Sequence, residues 1–377
     1  MGFAEILDTF DLSSLSEQLE MRWGDDVERA LAHESVNDDD LLSLLSPAAG
    51  PYLEPLARRA QTVTQQRFGR TIQLYAPVYL SNECVNRCAY CGFSHELTIR
   101  RATLTPEQVV AEADVLRDHG FRHLLLVSGE APRTTGASYV EQMVVALRPR
   151  FDSISIETGT FDRQGYERIV SAGADGLTLY QETYQPDVYR RVHRAGPKAR
   201  HDLRLAAIEA GAEAGFRSLG LGALLGLAPF RLEAYLLAMH GRYLARRFWR
   251  CRIALSFPRI RSTAGGFVPP HPVSDADLVQ MICTLRLALP DAELVLSTRE
   301  PPQLRNALLG LGITRISAGS RTNPGAYSHR SDTGEQFEVE DSRSPSEVAE
   351  AIVSRGFEPV WKDFDRAFAG PPAGVAA

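Results

Sequence analysis

The sequence predicts a (β/α)8 TIM-type barrel with a helical extension before it and a tail behind it, on three observations. Eight short apolar runs alternate with helical segments from residue 71 onward. The runs are continuously apolar rather than alternating, which marks parallel strands covered on both faces. The 377 residues hold neither an internal repeat nor a low-complexity linker, and barrels are among the single domains that run this long. A doubly wound open sheet is the alternative that the same pattern allows. The expected division is an extension over 1–70, a barrel over 71–320, and a loop, helix and tail over 321–377.

The extension reads as helical. Asn37 precedes three aspartates and the run LLSLL, an N-cap with acids in the first turn. Gly69 closes a second helix over residues 53–68. The β-branched and aromatic run TIQLYAPVYL (71–80) is the first strand. Thr105-Pro106-Glu107-Gln108 is a capping box with proline at the first helical position, and that helix ends near Gly120. HLLLV (123–127), SISIE (153–157), GLTLY (176–180), SLGLGALLGL from Ser218, RIALSF (252–257), ELVLS (293–297) and ITRIS (313–317) are the other strands. Helices over 138–147, 163–172, 201–214, 233–248, 275–289 and 303–309 alternate with them. Beyond Ser317, SHRSDTGEQFEVEDSRS reads as an exposed loop, followed by a helix over 345–354 and the tail FEPVWKDFD.

Composition excludes several classes. With 44% hydrophobic residues and a net charge of −6 the chain is not disordered. A pI near 5.9 argues against a dedicated nucleic-acid binder. The apolar run from Leu219 to Phe230 is too short and too broken by glycine to span a bilayer. The acidic N-terminus resembles neither a secretory signal nor a transit peptide. A soluble, cytoplasmic protein that binds neither membrane nor nucleic acid is expected.

The five cysteines are not a disulfide framework. Cys84, Cys88 and Cys91 fall within eight residues, while Cys251 and Cys283 stand alone and read as small buried residues. Three thiolates at CxxxCxxC spacing are one short of a structural zinc site. A redox CxxC would leave Cys84 without a task. Three cysteines can hold three irons of a [4Fe-4S] cluster and leave the fourth open to a ligand. Incidental buried cysteines are the alternative, set against the position of the group at a strand's C-terminal end, where barrels place their chemistry.

YLSNECVNRCAYCGF resembles the cluster loop of the radical S-adenosylmethionine (SAM) enzymes, with aromatic Tyr90 before the third cysteine. The segments APVYLSNECVNRCAYCGFS, HLLLVSGE, LYQETY, LGLGALLGL, SFPRIR, LVLSTRE and VWKDFD fall in the order found in the 2-iminoacetate synthase family, the tyrosine lyases of thiamine thiazole biosynthesis. The resemblance runs from about residue 40 to the C-terminus. It implies that Cys84, Cys88 and Cys91 bind a [4Fe-4S] cluster whose open iron takes SAM, and that the reduced cluster passes an electron to the SAM sulfonium. Ser128, Gly129 and Glu130 match the segment that holds the methionyl amino group. Gln181 and Glu182 match residues facing the ribose hydroxyls, with Glu157 a competing candidate, and Arg204 matches an arginine that meets the methionyl carboxylate. Tyr90 and Gly222 would border the adenine.

On the substrate side, Arg299 at the end of the seventh strand can hold an amino-acid carboxylate bidentately, with Ser317 adding a hydrogen bond. Arg259 and Arg261 compete for that role, and an Arg299–Glu300 ion pair is the structural alternative. By resemblance, Tyr79 lies beside the substrate amino group. The implied reaction abstracts hydrogen from the amino group of L-tyrosine and breaks its Cα–Cβ bond, giving 2-iminoacetate (dehydroglycine) and p-cresol. Thiazole synthase and an electron donor such as flavodoxin or ferredoxin are the implied partners. A related lyase acting on tryptophan and a non-catalytic iron–sulfur module are the alternatives. The tyrosine lyase of hydrogenase maturation, which carries a second cluster on C-terminal cysteines, is disfavoured because no cysteine follows Cys283.

Overall fold

A computed structural model describes residues 2–362 apart from 264 and 330. Five helices come first: α1 (Phe3–Leu7), α2 (Leu12–Glu20), α3 (Gly24–Ala32), α4 (Asp38–Leu45) and α5 (Leu53–Phe68). Asn37 caps α4 as expected, its Oδ1 accepting from the amides of Asp39 and Asp40. The barrel then alternates β1 (Thr71–Ser81), α6 (Pro106–Asp118), β2 (His123–Ser128), α7 (Ala137–Leu147), β3 (Ser153–Glu157), α8 (Arg163–Ala172) and β4 (Gly176–Glu182). It continues with α9 (Pro186–Val192), α10 (His201–Ala214), β5 (Ser218–Ala223), α11 (Phe230–Arg247), β6 (Arg252–Ser256), α12 (Asp275–Ala288), β7 (Glu293–Leu296), α13 (Pro302–Leu308) and β8 (Arg315–Ser317). Helix α14 (Pro345–Ser354) and a ninth strand, β9 (Glu358–Val360), complete the described elements.

All neighbouring strands are parallel, and β1 pairs with both β2 and β8, so the eight-stranded sheet closes. The open-sheet alternative is thereby excluded. Closure puts every strand's C-terminal end on one rim, the mouth, and its N-terminal end on the other, the foot. The strands are apolar throughout because the barrel core fills one face and the helices the other.

Three features depart from the expectations. The segment read as a tail forms β9, which pairs with the foot of β1 through Thr71–Gln73. This is possible because β2 begins opposite Ala76 and leaves the start of β1 without a partner on that side. Trp361 then packs edge-on to Phe121, with ring centroids 5.1 Å apart. In VWKDFD, Asp363, Phe364 and Asp365 lie outside the described residues, as does the remainder of the chain to 377. Helix α9 lies in the stretch between β4 and α10, where no element is expected.

The third departure is the polar run after β8, which is laid over the mouth rather than extended into solvent. Asn82 donates to the Gly334 carbonyl at 3.1 Å, and the Gly92 amide donates to the Gln336 carbonyl at 3.0 Å. A Cβ at Gly92 would stand 2.2 Å from the Glu335 carbonyl oxygen, so only glycine admits this approach beside Cys91.

The N-terminal helices pack on the outside of α10–α12. The Phe3 ring stacks on His240 at 4.0 Å, and Gln280 donates to the carbonyls of Leu44 and Ser46 at 2.9 and 2.8 Å. Among the described residues no helix is long and apolar enough to cross a membrane.

Candidate active site

The mouth holds two adjoining cavities. The first is lined by Cys84, Cys88, Cys91, Ser128, Gly129, Glu130 and Arg204, and the second by Tyr79, Tyr90, Arg299, Ser317, Gln336 and Phe337. Cys91, Glu157, Tyr180, Glu182, Lys198 and Gln336 line both.

The cysteine loop leaves β1 in extended form. Cys84, Asn86 and Cys88 are buried, while Val85 and Arg87 between them are exposed, the period-2 alternation of an extended chain. Neighbours hold it on both sides: the Val85 amide donates to the Glu130 carbonyl at 2.9 Å, and the Arg87 amide to the Ala195 carbonyl at 3.0 Å. Burial pushes the Cys91 thiol up to about 11, and Cys84 adds to the effect. Bare thiols in this setting resist ionisation, and a cationic metal centre would supply the missing charge. Among the described residues no three His, Cys, Asp or Glu side chains converge on the position of a single ion. Three thiols spread along one cavity wall suit a multi-iron cluster.

Beside the thiols, the end of β2 presents Ser128, whose buried hydroxyl has no hydrogen-bond partner among the described residues. Gly129 is needed for packing, since a Cβ there would stand 2.3 Å from the Glu83 carbonyl and 3.1 Å from the Cys84 Cβ. Glu130 accepts from Asn86 Nδ2 at 2.6 Å and from the Thr160 amide at 3.1 Å. Asn86, which sequence reading missed, thus locks the cysteine loop to the SGE turn. Arg204 reaches the cavity from α10 with its Nε donating to the Tyr180 carbonyl at 2.6 Å. Tyr90 donates to His193 Nε2 at 2.7 Å, and His193 Nδ1 lies 3.0 Å from the Tyr189 carbonyl, which fixes the imidazole tautomer.

Two expected residues do not face the site. Gln181 is buried outside both linings, because Tyr180 and Glu182 take the inward positions of β4 and the residue between them points away. Gly222 is also outside both linings. A Cβ there would meet the Tyr180 ring at 2.5 Å, so this glycine makes room for Tyr180.

On the other side the competition among arginines resolves. Glu300, the partner of Arg299 in the structural alternative, is taken by Arg259 Nε at 3.0 Å and by Arg261 Nη2 at 2.9 Å. Arg259 is further engaged by Asp275 at 2.8 Å. The Arg299 guanidinium is left lying over the Phe337 ring, 3.4 Å from its centroid, with no carboxylate partner among the described residues. Burial lowers its pKa, countered by Tyr79 and Tyr180. Ser317 lines the same cavity with its hydroxyl toward Tyr75, and the Tyr79 hydroxyl donates to Gln336 Oε1 at 2.7 Å.

The wall between the cavities is charged. Glu182, at a positive φ of 71°, pairs with Lys198 at 2.6 Å. Burial opposes the Lys198 charge, but Glu182 and its neighbours hold the ammonium above its ordinary value. Glu157 makes no hydrogen bond to the described residues, and burial, reinforced by Glu182, pushes its carboxyl up to about 7. Lys198, Gln336 and Phe337 were missed from sequence. The turn Gly196-Pro197-Lys198 was the signal for the first, whereas the other two lie in the polar run read as exposed loop. Of the two lone cysteines, Cys283 is buried in α12 and Cys251 lies in the turn before β6, where its Sγ donates to the Phe216 carbonyl at 3.2 Å.

Comparison with known proteins agrees with this geometry. Residues 78–229 match the Radical SAM superfamily, and residues 256–358 match the Biotin and Thiamin Synthesis associated domain. The chain is 43% identical over 341 residues to the 2-iminoacetate synthase of Escherichia coli, covering 90% of each chain. It is 42% identical, with the same coverage, to that of Salmonella typhimurium. Among solved structures, the FeFe-hydrogenase maturase HydG of Carboxydothermus hydrogenoformans superposes with a TM-score of 0.84 at 32% identity, covering 98% of this chain and 85% of that one.

Proposed function

We propose that this chain, which belongs to the 2-iminoacetate synthase family of radical SAM enzymes, cleaves the Cα–Cβ bond of L-tyrosine to 2-iminoacetate and p-cresol. The observation that carries the substrate reading is the Arg299 guanidinium on Phe337 with no carboxylate partner among the described residues, in the cavity that Ser317 also lines, while the neighbouring arginines are engaged by Glu300. A half-buried cation with no carboxylate partner among the described residues is costly unless a ligand completes it, and a carboxylate fits the guanidinium fork.

Cys84, Cys88 and Cys91 hold the cluster, and with SAM it supplies hydrogen-atom abstraction from the substrate. Ser128 and Glu130 face the SAM amino group, and Arg204 its carboxylate. Glu182, braced by Lys198, and Glu157 face the ribose side, at the wall that separates cofactor from substrate. Tyr90 borders the adenine. Arg299 and Ser317 anchor the tyrosine carboxylate, while Tyr79, fixed by Gln336, stands beside its amino group. The run over 334–337 seals the mouth and keeps water from the reacting atoms. The chain works in the cytoplasm, receives electrons from a flavodoxin- or ferredoxin-type donor and hands its product to a thiazole synthase.

Anaerobic reconstitution with iron and sulfide, then addition of SAM, dithionite and either tyrosine or tryptophan, tests the reading. p-Cresol from tyrosine is expected. Turnover of tryptophan alone, with a methylindole-type product, would overturn it.

A further inference from the structure

The cysteine loop has an outer face that the reaction does not use. Behind the alternation that buries Cys84, Asn86 and Cys88, the side chains of Val85 and Arg87 point away from the cavities, and Val85 is 42% exposed. Two other segments flank this face through backbone hydrogen bonds. One runs from Glu130, which accepts from the Val85 amide, to exposed Arg133. The other is the last turn of α9 with residues 193–195, where the Arg194 amide donates to the Arg87 carbonyl at 3.0 Å. Arg191 and Arg194 are exposed on that second segment.

The charge here runs against the whole chain, whose net charge is −6. Among the described residues about half of the exposed arginines are neutralised by nearby acids, as Arg58 is by Glu54 and Arg163 by Glu167. Arg87, Arg133 and Arg191 have no acidic partner among the described residues, and Arg194 has only Glu96, at 3.1 Å. These arginines come from three separate segments and converge on no cavity, so they suit an extended acidic surface rather than a small anion.

We propose that Val85 and Arg87, framed by Arg133, Arg191 and Arg194, form the docking surface for an acidic protein that delivers single electrons to the cluster. The inference rests on the reading of Cys84, Cys88 and Cys91 as ligands. On that reading the backbone of Val85 and Arg87 is continuous with two of them, so a carrier seated here is separated from the cluster by one layer of chain. Approach from the mouth is covered by the 334–337 run. Electron transfer falls steeply with distance, and such encounters use small interfaces steered by charge. Each visit delivers one electron from the carrier's reduced group to the oxidised cluster, and the oxidised carrier departs.

The test mixes reconstituted enzyme anaerobically with a reduced flavodoxin and monitors cluster reduction by its electron paramagnetic resonance signal over a range of salt. Arg87→Glu combined with Arg133→Glu is expected to slow reduction by roughly tenfold or more at low salt and to flatten the salt dependence. Reduction by dithionite should stay close to that of the unmodified enzyme. An unchanged flavodoxin rate, or an equal loss with dithionite, overturns the proposal, as does an equal loss in Arg250→Glu at the foot. Should Arg87→Glu bind less iron, Arg133→Glu with Arg191→Glu carries the same test away from the ligands. Failure to form p-cresol with dithionite would defeat the tyrosine reading and leave this measurement intact.

Discussion

The two ends of the barrel differ in how completely they match charge, since the mouth leaves some groups unpaired beside its Glu182–Lys198 and Arg261–Glu300 pairs. At the foot, ions are matched. Glu293 lies 3.2 Å from both Arg315 and Arg252, Arg315 Nη2 lies 2.7 Å from His123 Nε2, and Arg286 donates to the carbonyls of Ala292 and Gly312 at 2.7 Å. At the mouth, Arg299 and Glu157 stand without ion-pair partners among the described residues, where the Ser128 hydroxyl also lacks a hydrogen bond. Matched ions hold a fold together, whereas unmatched ones at a cavity wall mark places a ligand completes. The difference separates architecture from chemistry within one barrel.

The largest effect that sharpens this contrast is expected for Cys88→Ala. The variant should fold, with an unchanged far-ultraviolet spectrum, yet bind less iron and form no 5′-deoxyadenosine. Retained 5′-deoxyadenosine would remove the cluster from the account.

A pair of arginine variants comes next. Arg286→Ala at the foot strands the carbonyls of Pro290, Ala292 and Gly312 and should lower stability by about 2–4 kcal/mol in denaturant unfolding. Arg299→Ala at the mouth removes a cation with no acidic partner and should leave the apo protein as stable or make it more so. An equal loss in both would break the comparison.

Acidification should act away from both ends, where the N-terminal helix packs on α11. His240 is buried against Phe3, and burial holds its pKa down at about 3. Its folded value lies below the ordinary 6.5, so its contribution is full above about 6.5 and is lost as pH falls toward 3. His240→Gln should therefore unfold with a flatter pH dependence between those values.

The smallest effect is expected from Glu157→Gln. Glu157 titrates at about 7 in the fold, above its ordinary 4.5. Its protonated form is favoured by folding, and stability declines as pH rises through 7. The variant should gain stability over the unmodified apo protein at pH 8, on the order of 1 kcal/mol, and almost none at pH 5.

The strands were legible in sequence because a barrel strand buried on both faces is written as an unbroken apolar run, and helix starts because caps such as Asn37 and Thr105 act within one turn. The place of Arg299 and Ser317 at the mouth was legible because topology fixes where strands end. The hidden part depends on contacts distant in sequence. Gln336 meets Tyr79 across 257 residues, and nothing local in a polar run tells a lid from a loop. Gln181 was misplaced because a motif does not show which of two neighbours takes the inward register. The freedom of Arg299 was hidden too, since it depends on Glu300 turning to Arg259 and Arg261.

The most direct measurement compares p-cresol and 5′-deoxyadenosine formed by reconstituted Arg299→Gln with those of the unmodified enzyme, under dithionite with saturating tyrosine. The predicted result is p-cresol reduced by about a hundredfold or more while SAM cleavage persists. Undiminished p-cresol would contradict the assignment of Arg299 as the carboxylate anchor, and with it the rule that the unmatched charge at the mouth marks the ligand.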